Sequence, residues 1–497
     1  MYEPSGVRHF QGAFVTKSTI VRSSFVAAAV SWLVLAGTAS GQSQPLPPTP
    51  DIVPAPPIMA AAPSVEAAMP PPPPAPASFE AVWNNGLFLQ TKDKDFTAHV
   101  GGVLHFDAAW YDGGTNLQTQ PGGIGRLNDG VVPRRTRIFF EGSAYKHFDY
   151  FLNYEFANGI GPIGSTGAVT TANVVFTPGL LDAWVTVKDV PFFGNVRVGN
   201  QKEWFSLEHL NIARYLEFVE RSYLFDFSQP TAFNNGRTPG ISTFRTWADD
   251  RLFTAIGAYK NVSDPYAFGA GAGDYAVTGR VAALPIYEPE AKRLWHIGGA
   301  FSLRDPANDQ VRVRIRNAAR GSPGPLLNLI ADSGALAADS QDLFNLETAA
   351  VAGPWTIQAE YTANIIDGAR PLASDGARDD LVFHGAYVET MVFLTGESRT
   401  WNPKTATFNR VIPRRNLMSG DGGLGAFEVA ARWSYANLTD GAIRGGRLNG
   451  ATLGLNWYWN PNMKMQFNYD TCYRDQSTNP NANGSIHSFV TRLALDF

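Results

Sequence analysis

Residues 488–497 read SFVTRLALDF, and this stretch of ten residues decides the fold class. Side chains alternate between two faces along an extended strand. Phe489, Leu493 and Phe497 therefore share one face, while Arg492 and Asp496 lie on the other. An apolar face opposite a charged face suits a strand that lies between lipid and water. Because any half-buried strand alternates in this way, the interpretation depends on repetition of the pattern.

The alternation recurs in the segments that precede this strand. Apolar residues alternate with polar or charged ones over residues 427–435, 451–459 and 463–472. The connection at residues 460–462 is a tight Asn-Pro-Asn turn, whereas residues 475–485 form a longer polar loop. Short turns at one end and long loops at the other are typical of transmembrane barrels. A soluble sandwich would need an apolar inner face, which these strands do not offer.

From about residue 97 onward the sequence contains sixteen candidate strands, and we predict an all-β fold, a transmembrane antiparallel β-barrel. After three strands before residue 157, further strands begin near Leu180, Asn195, Gly240, Leu252, Tyr275, Trp295, Leu343, Trp355 and Leu381. Long loops are expected at 112–133, 158–179, 205–237, 261–273, 305–342, 367–380, 437–447 and 475–485, with one long stretch, 396–424, on the short-turn side. A barrel of this width leaves an aqueous channel.

The third loop, residues 205–237, is too long and too apolar to extend into water. Its apolar residues are Leu210, Ile212, Tyr215, Leu216, Phe218 and Leu224. We expect it to fold inward as a constriction loop that narrows the channel, because exposure of this much apolar surface is unfavourable.

The segment before the barrel divides into two parts. Residues 25–37 are apolar apart from one serine, follow three basic residues and precede a run of small ones, so residues 1–41 are predicted to be a signal peptide. The run is short for a membrane-spanning helix of about 20 residues. Residues 42–80 are rich in proline and alanine and are predicted to be an extended periplasmic linker. The barrel is then expected over residues 81–497.

Composition argues against several functional classes. Charged residues make up 17% of the chain and the net charge is −4, which argues against a basic nucleic-acid binder. The single cysteine, Cys472, cannot form an intrachain disulfide. The eight histidines lack metal-ligand spacing, and the Gly-rich run at residues 269–274 fits a hairpin loop better than a phosphate-binding loop. We therefore expect no catalytic residues, no metal, no cofactor and no enzymatic activity.

Arginine is the residue type most suited to conduct anions through such a channel. Fixed positive charge on a narrow wall raises the local anion concentration. The guanidinium group stays charged, and its planar fork matches phosphate oxygens. Strand parity, the inward loop and the alternation of residues 310–317 select the candidates for anion binding and pore lining. These are Arg135, Arg137, Arg197, Arg214, Arg221, Arg280, Arg312, Arg314 and Arg316.

Other interpretations of these residues stay open at this point. Arg221 follows Glu220 and is equally explained by an ion pair that fixes a loop. Arg312 to Arg316 could lie on the exposed edge of a loop. Acidic residues also face inward by parity, which would give a mixed-charge wall with little ion preference. They are Asp107, Glu141, Asp149, Glu155, Asp182, Glu347 and Glu360.

Five stretches spread over the barrel resemble the phosphate-selective porin O and P family of bacterial outer membranes. They are residues 196–202 (VRVGNQK), 218–222 (FVERS), 353–361 (GPWTIQAEY), 394–399 (LTGESR) and 453–458 (LGLNWY). The resemblance implies a sixteen-stranded porin in the outer membrane of a Gram-negative-type bacterium. It further implies a homotrimer and a row of basic residues that conducts phosphate or related anions.

The expected function is passive diffusion of small hydrophilic solutes with a preference for anions or phosphate. The expected partners are these solutes, outer-membrane lipid and two further copies of the chain, and cell-wall contact through the proline-rich segment is possible. Two alternatives remain. One is a general or carbohydrate-type porin of weak ion selectivity, and the other is a structural barrel tethered to the cell wall.

Overall fold

The computed structural model describes residues 78–157, 179–228, 236–260, 274–320, 328–420, 422–476 and 478–497. The predicted signal peptide and nearly all of the predicted linker lie outside the described residues. So do almost all of the loops predicted at 158–179 and 261–273 and most of the Gly-rich run. Residues 80–497 belong to one structural unit, which is described below.

Sixteen antiparallel strands form a closed barrel, as predicted. They are β3 (Phe96–Gly113), β4 (Gly130–Ala144), β5 (Phe148–Glu155), β6 (Gly179–Val190), β7 (Gly194–Lys202), β8 (Arg237–Trp247), β9 (Leu252–Lys260), β10 (Tyr275–Glu288), β11 (Arg293–Arg304), β16 (Ser340–Ala352), β17 (Trp355–Pro371), β18 (Asp379–Phe393), β21 (Ala426–Asp440), β22 (Ile443–Asn460), β23 (Met463–Asp475) and β24 (Gly484–Asp496). Each strand pairs with the next one named. The barrel closes where β24 pairs with β3, from Asp496 opposite Val103 to Ile486 opposite Gly113.

The alternation read from the sequence appears directly in the exposure of the side chains. On β3, Val100, Leu104 and Phe106 are exposed on the outer surface, whereas His105 and Asp107 are buried inside. The outward apolar residues form the lipid-facing surface that such a barrel requires. Among the described residues, no helix is long and apolar enough to cross a membrane.

The strand ends follow the predicted pattern of short turns at one end and long loops at the other, with one correction. The loop predicted at 437–447 is wrong: β21 continues to Asp440 and β22 begins at Ile443, leaving a two-residue turn. Polar residues in this region suggested a loop. However, Leu438, Ile443 and Leu448 are buried inside the barrel, and the two strands pair almost to the turn.

A short hairpin precedes the barrel and joins its wall. It consists of β1 (Phe79–Trp83) and β2 (Leu87–Thr91). β2 pairs with β3 from Leu87 opposite Val100 to Gln90 opposite Thr97. Just above this pairing, the backbone N–H of Gly102 donates to the carbonyl of Phe497 at 3.0 Å. The hairpin therefore continues the sheet at the point where β24 stops.

Two segments fold into the barrel from opposite ends. The inward loop, described over residues 203–228, carries helix α2 (Leu207–Leu210), a 3₁₀ turn (Ala213–Tyr215) and helix α3 (Tyr223–Ser228). Leu210, Leu216, Phe218 and Leu224 are buried, as the inward fold predicts. The inward turn segment, residues 394–425, lies at the short-turn end and carries a hairpin of β19 (Trp401–Asn402) and β20 (Thr407–Phe408). This second inward segment was not predicted from the sequence.

The loop between β11 and β16, here named the outer loop and described over residues 305–320 and 328–339, packs against the inner wall at the long-loop end. It contains β12 (Gln310–Val311), β13 (Arg314–Arg316), β14 (Leu329–Asp332) and β15 (Leu336–Ala337), preceded by a 3₁₀ turn (Ala307–Asp309). Val311, Val313 and Ile315 join a buried apolar cluster with inward residues of the strands, among them Phe383 and Leu448. Two short helical elements, α1 (Thr115–Thr119) and a 3₁₀ turn (Pro480–Ala482), lie in the remaining loops.

Candidate functional site: a basic cavity in the barrel lumen

Many charged side chains surround a cavity of about 360 Å³ between the wall of β4–β8 and the two inward segments. Eight basic and three acidic side chains line it. The basic residues are Arg134, Arg135, Arg137, Arg197, Lys202, Arg214, Arg221 and Arg237, and the acidic ones are Glu141, Asp182 and Glu220. Five of the nine arginines selected from the sequence, Arg135, Arg137, Arg197, Arg214 and Arg221, are thus brought together here.

Glu220 of the inward loop is the centre of a buried ion-pair network. Its carboxylate lies 2.9 Å from Arg134 Nε, 3.4 Å from Arg135 Nη2 and 2.9 Å from Arg492 Nη2. The network fixes the loop to β4 and β24. Arg134 was not predicted to face inward, because strict alternation places it outside. A β-bulge opposite His105 and Phe106 turns two consecutive arginines toward the lumen.

Two further wall arginines are paired with carboxylates of the wall, Arg137 with one on the adjacent strand β5 and Arg237 with one on β6, two strands away. Arg137 Nε donates to Glu155 at 2.7 Å, and Arg237 Nη2 lies 3.1 Å from Asp182. Arg237 begins β8 and falls at the end of the predicted loop, so strand alternation could not be used to predict on which side of the wall it lies.

Lys202 and Arg221 hold the backbone of the inward loop instead of a carboxylate. Lys202 Nζ donates to the carbonyls of His209, Leu210 and Asn211 at 2.6–3.2 Å. Arg221 Nε donates to the carbonyl of Glu208 at 2.7 Å. These carbonyls form the C-terminal end of α2, where positive charge is favourable. Arg221 therefore holds the loop through backbone carbonyls and not through the ion pair with Glu220 that was considered for it.

Arg197 is held by aromatic rings. Its guanidinium carbon lies 3.7 Å from the ring centre of Trp184 and 4.9 Å from that of Phe244. Its Nε donates to Thr186 Oγ1 at 2.9 Å. No carboxylate in the described ranges lies within ion-pair distance of it. Arg214 is similar, with its guanidinium 5.0 Å from the ring of Phe139 and only a long contact, 3.8 Å, to Asp496.

The other four predicted arginines lie away from this cavity. Arg280 is buried against Glu347 at 2.6 Å and donates to the carbonyl of Ala406 in the inward turn segment. Arg312 is exposed on the outer loop and pairs with Asp332 at 2.6 Å. Arg316 is buried and lies 3.6 Å from Asp226 of α3. Burial and the neighbouring arginines lower the pKa of Arg314 to about 10, so this side chain remains charged at neutral pH.

The inward acidic residues each have a local partner on the wall or the inward loop. Asp107 pairs with Arg492 at 2.7 Å, Asp149 with Lys188 at 2.8 Å, and Glu141 with His99 at 2.9 Å. The Glu360 carboxylate accepts the backbone N–H groups of Leu207 and Glu208 at the start of α2. The mixed-charge wall considered from parity is therefore a set of local pairs, and the surplus of charge in the cavity is positive.

A second cavity, of about 740 Å³, lies at the short-turn end of β6–β8. It shares Arg197 and Thr405 with the basic cavity. Arg237, which lines the first, and Arg245, which lines the second, are eight residues apart on β8, about 26 Å along the strand. The two cavities therefore follow most of the height of this wall.

The comparisons with known proteins agree with this geometry. The family described as phosphate-selective porin O and P matches residues 101–497. Porin O of Pseudomonas aeruginosa is 26% identical over 437 residues, which cover 83% of this chain and 91% of that protein. An uncharacterized protein of Caulobacter vibrioides is 27% identical over 463 residues, covering 89% and 82%.

Among solved structures, an anion-selective porin from Comamonas acidovorans aligns with a TM-score of 0.49 and 12% identity, covering 81% of this chain and 100% of that one. The family match extends over nearly the whole described barrel and ends on the strand quoted at the outset. The chain belongs to the phosphate-selective porin O and P family, and it is an outer-membrane porin, a channel rather than an enzyme.

Proposed function

We propose that this porin conducts small hydrophilic solutes by passive diffusion with a preference for anions, phosphate among them, and that the basic cavity sets this preference. The observation that carries the proposal is the lining of eight basic and three acidic side chains around about 360 Å³. Two of the acidic groups, Asp182 and Glu220, are themselves paired with arginines. In a narrow, low-dielectric passage such a surplus attracts anions and repels cations.

Arg197 is the residue from which the largest contribution to selectivity is expected. It lines both cavities, so a solute that moves between them passes its guanidinium group. The aromatic rings and Thr186 hold it in place without neutralising it. Arg137 and Arg237, by contrast, share their charge with Glu155 and Asp182.

The proposal is tested with the purified protein in planar bilayers, by the reversal potential in a KCl gradient. An anion-selective current that falls as phosphate is added is expected. Arg197→Gln should shift the reversal potential toward zero, whereas the matched variant Arg312→Gln on the exposed outer loop should leave it unchanged. A large, weakly selective current that phosphate does not affect would instead identify a general porin. Persistent absence of current from folded protein would favour a structural barrel.

We also propose that the barrel assembles as a homotrimer and that residues 1–41 are removed on export, leaving residues 42–80 as a periplasmic linker. Intact-mass spectrometry of the protein from outer membranes gives the N-terminus. Light scattering of the detergent complex, corrected for bound detergent, gives the number of copies. A mass that includes residues 1–41, or a single copy, would contradict these assignments.

A further inference from the structure

Aromatic side chains form a row across the lumen side of the wall. Phe139 on β4, Phe151 on β5 and Trp184 on β6 follow one another on adjacent strands, with ring centres 5.9 Å and 5.6 Å apart. All three line the basic cavity. Inward positions of a water-filled barrel are expected to be polar. Apolar aromatic rings at the cavity wall therefore require a structural or functional explanation.

Packing against the inward loop explains only part of the row. Phe139 is 2% exposed and lies beneath the guanidinium group of Arg214. Phe151 and Trp184 are only partly buried, and both line the cavity. Tyr215 and Phe225 of the inward loop also line the cavity. Aromatic residues of both the wall and the inward loop therefore contribute to its lining.

The charged groups lie beside these rings. Arg197 follows Trp184 in the same row, on β7, with its guanidinium 3.7 Å from the ring centre. Trp184 supports the cation by a cation–π contact and leaves the edge of the guanidinium for an anionic group. The cavity volume of about 360 Å³ falls in the range of ~300–1,000 Å³ that is typical of sites for small organic ligands. Inorganic phosphate alone would leave most of this volume, and all of these rings, without contact.

We propose that the basic cavity preferentially binds anions in which a phosphate or carboxylate group is attached to a flat aromatic ring. The anionic group contacts the guanidinium of Arg197, and the ring stacks on Phe151 and Trp184. This inference rests on the proposed anion preference and adds the class of solute. It assigns Phe151 a role in specificity that neither charge nor strand parity indicates.

The test compares phosphate monoesters of equal charge as inhibitors of the chloride current through the full chain in planar bilayers. Phenyl phosphate should reach half-inhibition at roughly three- to tenfold lower concentration than methyl phosphate, the gain expected from one aromatic pair. Cyclohexyl phosphate, which is apolar but not flat, should inhibit less than phenyl phosphate. This comparison needs no variant, so it does not depend on the folding of a mutant.

Phe151→Leu should remove most of the difference between phenyl and methyl phosphate and leave inhibition by inorganic phosphate within about twofold. Phe148→Leu is the matched control, because Phe148 lies on the same strand and is exposed on the outer surface. Equal inhibition by phenyl and methyl phosphate in an anion-selective channel would overturn the aromatic preference alone. An equal loss of the difference between phenyl and methyl phosphate in Phe151→Leu and Phe148→Leu would also overturn this preference. A channel without anion selectivity in KCl would overturn the proposed function, and this inference with it.

Discussion

The two halves of the lumen use the same alternation of side chains for different purposes. Along β4–β8, here the open side, inward residues line the two cavities. Along β17–β24, the filled side, inward polar residues are buried beneath the inward loop and bond to its backbone. Asn456 donates to the carbonyl of Glu217 at 2.7 Å, and Asn468 accepts the backbone N–H of Val219 at 3.1 Å. Inward polar residues of the open side thus line the cavities, and those of the filled side bond to the loop backbone, while Lys202 of the open side does both.

This difference shows why the position of an arginine in the barrel decides its role. Arg492 on the filled side has no exposed side-chain surface, pairs with Asp107 and Glu220, and serves to hold the loop. Arg197 on the open side has no such carboxylate within reach in the described chain. Four substitutions test the comparison, and they are ordered by expected effect.

Arg492→Leu should have the largest effect on the filled side. It leaves the Asp107 carboxylate buried without its cation and removes one of the ion pairs of Glu220. This should lower the free energy of unfolding by about 3–5 kcal/mol. The inward loop should loosen, and the single-channel conductance should rise or become noisy. Urea unfolding followed by tryptophan fluorescence measures the first effect, and bilayer recordings measure the second. An unchanged unfolding midpoint would show that the pair does not hold the loop.

Glu220→Gln acts on both sides at once, because this residue lines the basic cavity and anchors the loop. The loss of a carboxylate shared by several arginines should lower the free energy of unfolding by about 1–3 kcal/mol. The same change adds uncompensated positive charge, so the reversal potential in a KCl gradient should become more anion-selective. Asp182→Asn is the comparison on the open side alone, where the carboxylate pairs with Arg237 and accepts a hydrogen bond from Asn153. A fall in anion selectivity on substitution of Glu220 would contradict the charge argument.

Gln466→Leu should have a smaller effect on stability. Its amide donates to the carbonyls of Leu216 and Glu217 at 3.3 Å and 3.2 Å and to Asn456 Oδ1 at 2.9 Å. Lys464 and Asn456 also donate to the two carbonyls, so neither carbonyl is left without a partner, but the buried Asn456 oxygen loses this donor. The expected cost is about 1–2 kcal/mol in urea unfolding, with selectivity unchanged. Met465→Leu, on the neighbouring outward position, is the control.

Arg312→Ala should have the smallest effect. The ion pair with Asp332 is largely exposed, with 45% of the arginine side chain accessible, and such pairs contribute about 0–1 kcal/mol. Neither the reversal potential nor the conductance should change. A marked loss of anion selectivity would show that the outer loop, rather than the open side, controls which ions enter.

The sequence predicted the barrel and the inward faces of most of its strands, because both follow from a period of two. The parity of β4 and β7 placed Arg135, Arg137 and Arg197 correctly on the inside of the wall. Parity failed at the bulge that turns Arg134 inward, since one extra residue reverses the faces. The loop prediction also failed at residues 441–442. The polar composition of this region suggested a long loop, whereas β21 and β22 continue to a two-residue turn.

The filled side could not be predicted in the same way. Its contacts join residues far apart in the chain, such as Asn456 with Glu217 and Asn468 with Val219, and no local pattern in the sequence indicates them. The inward turn segment was recognised only as a long connection. The positions of Arg312, Arg314 and Arg316 depend on the path of the outer loop. This loop divides the predicted strand into two short strands, at residues 310–311 and 314–316.

The hairpin on β3 bears on the order in which the wall assembles. Val103 and Asp496 meet across about 390 residues of chain, so closure of the barrel is a late and slow event. β2 reaches the same edge of β3 after only about a dozen residues, from Leu87 to Val100. The hairpin can thus occupy its part of the edge first and mark the point beyond which β24 cannot pair. A slip of one residue at the seam would exchange the lipid and lumen faces of the last strand, and this early pairing guards against it.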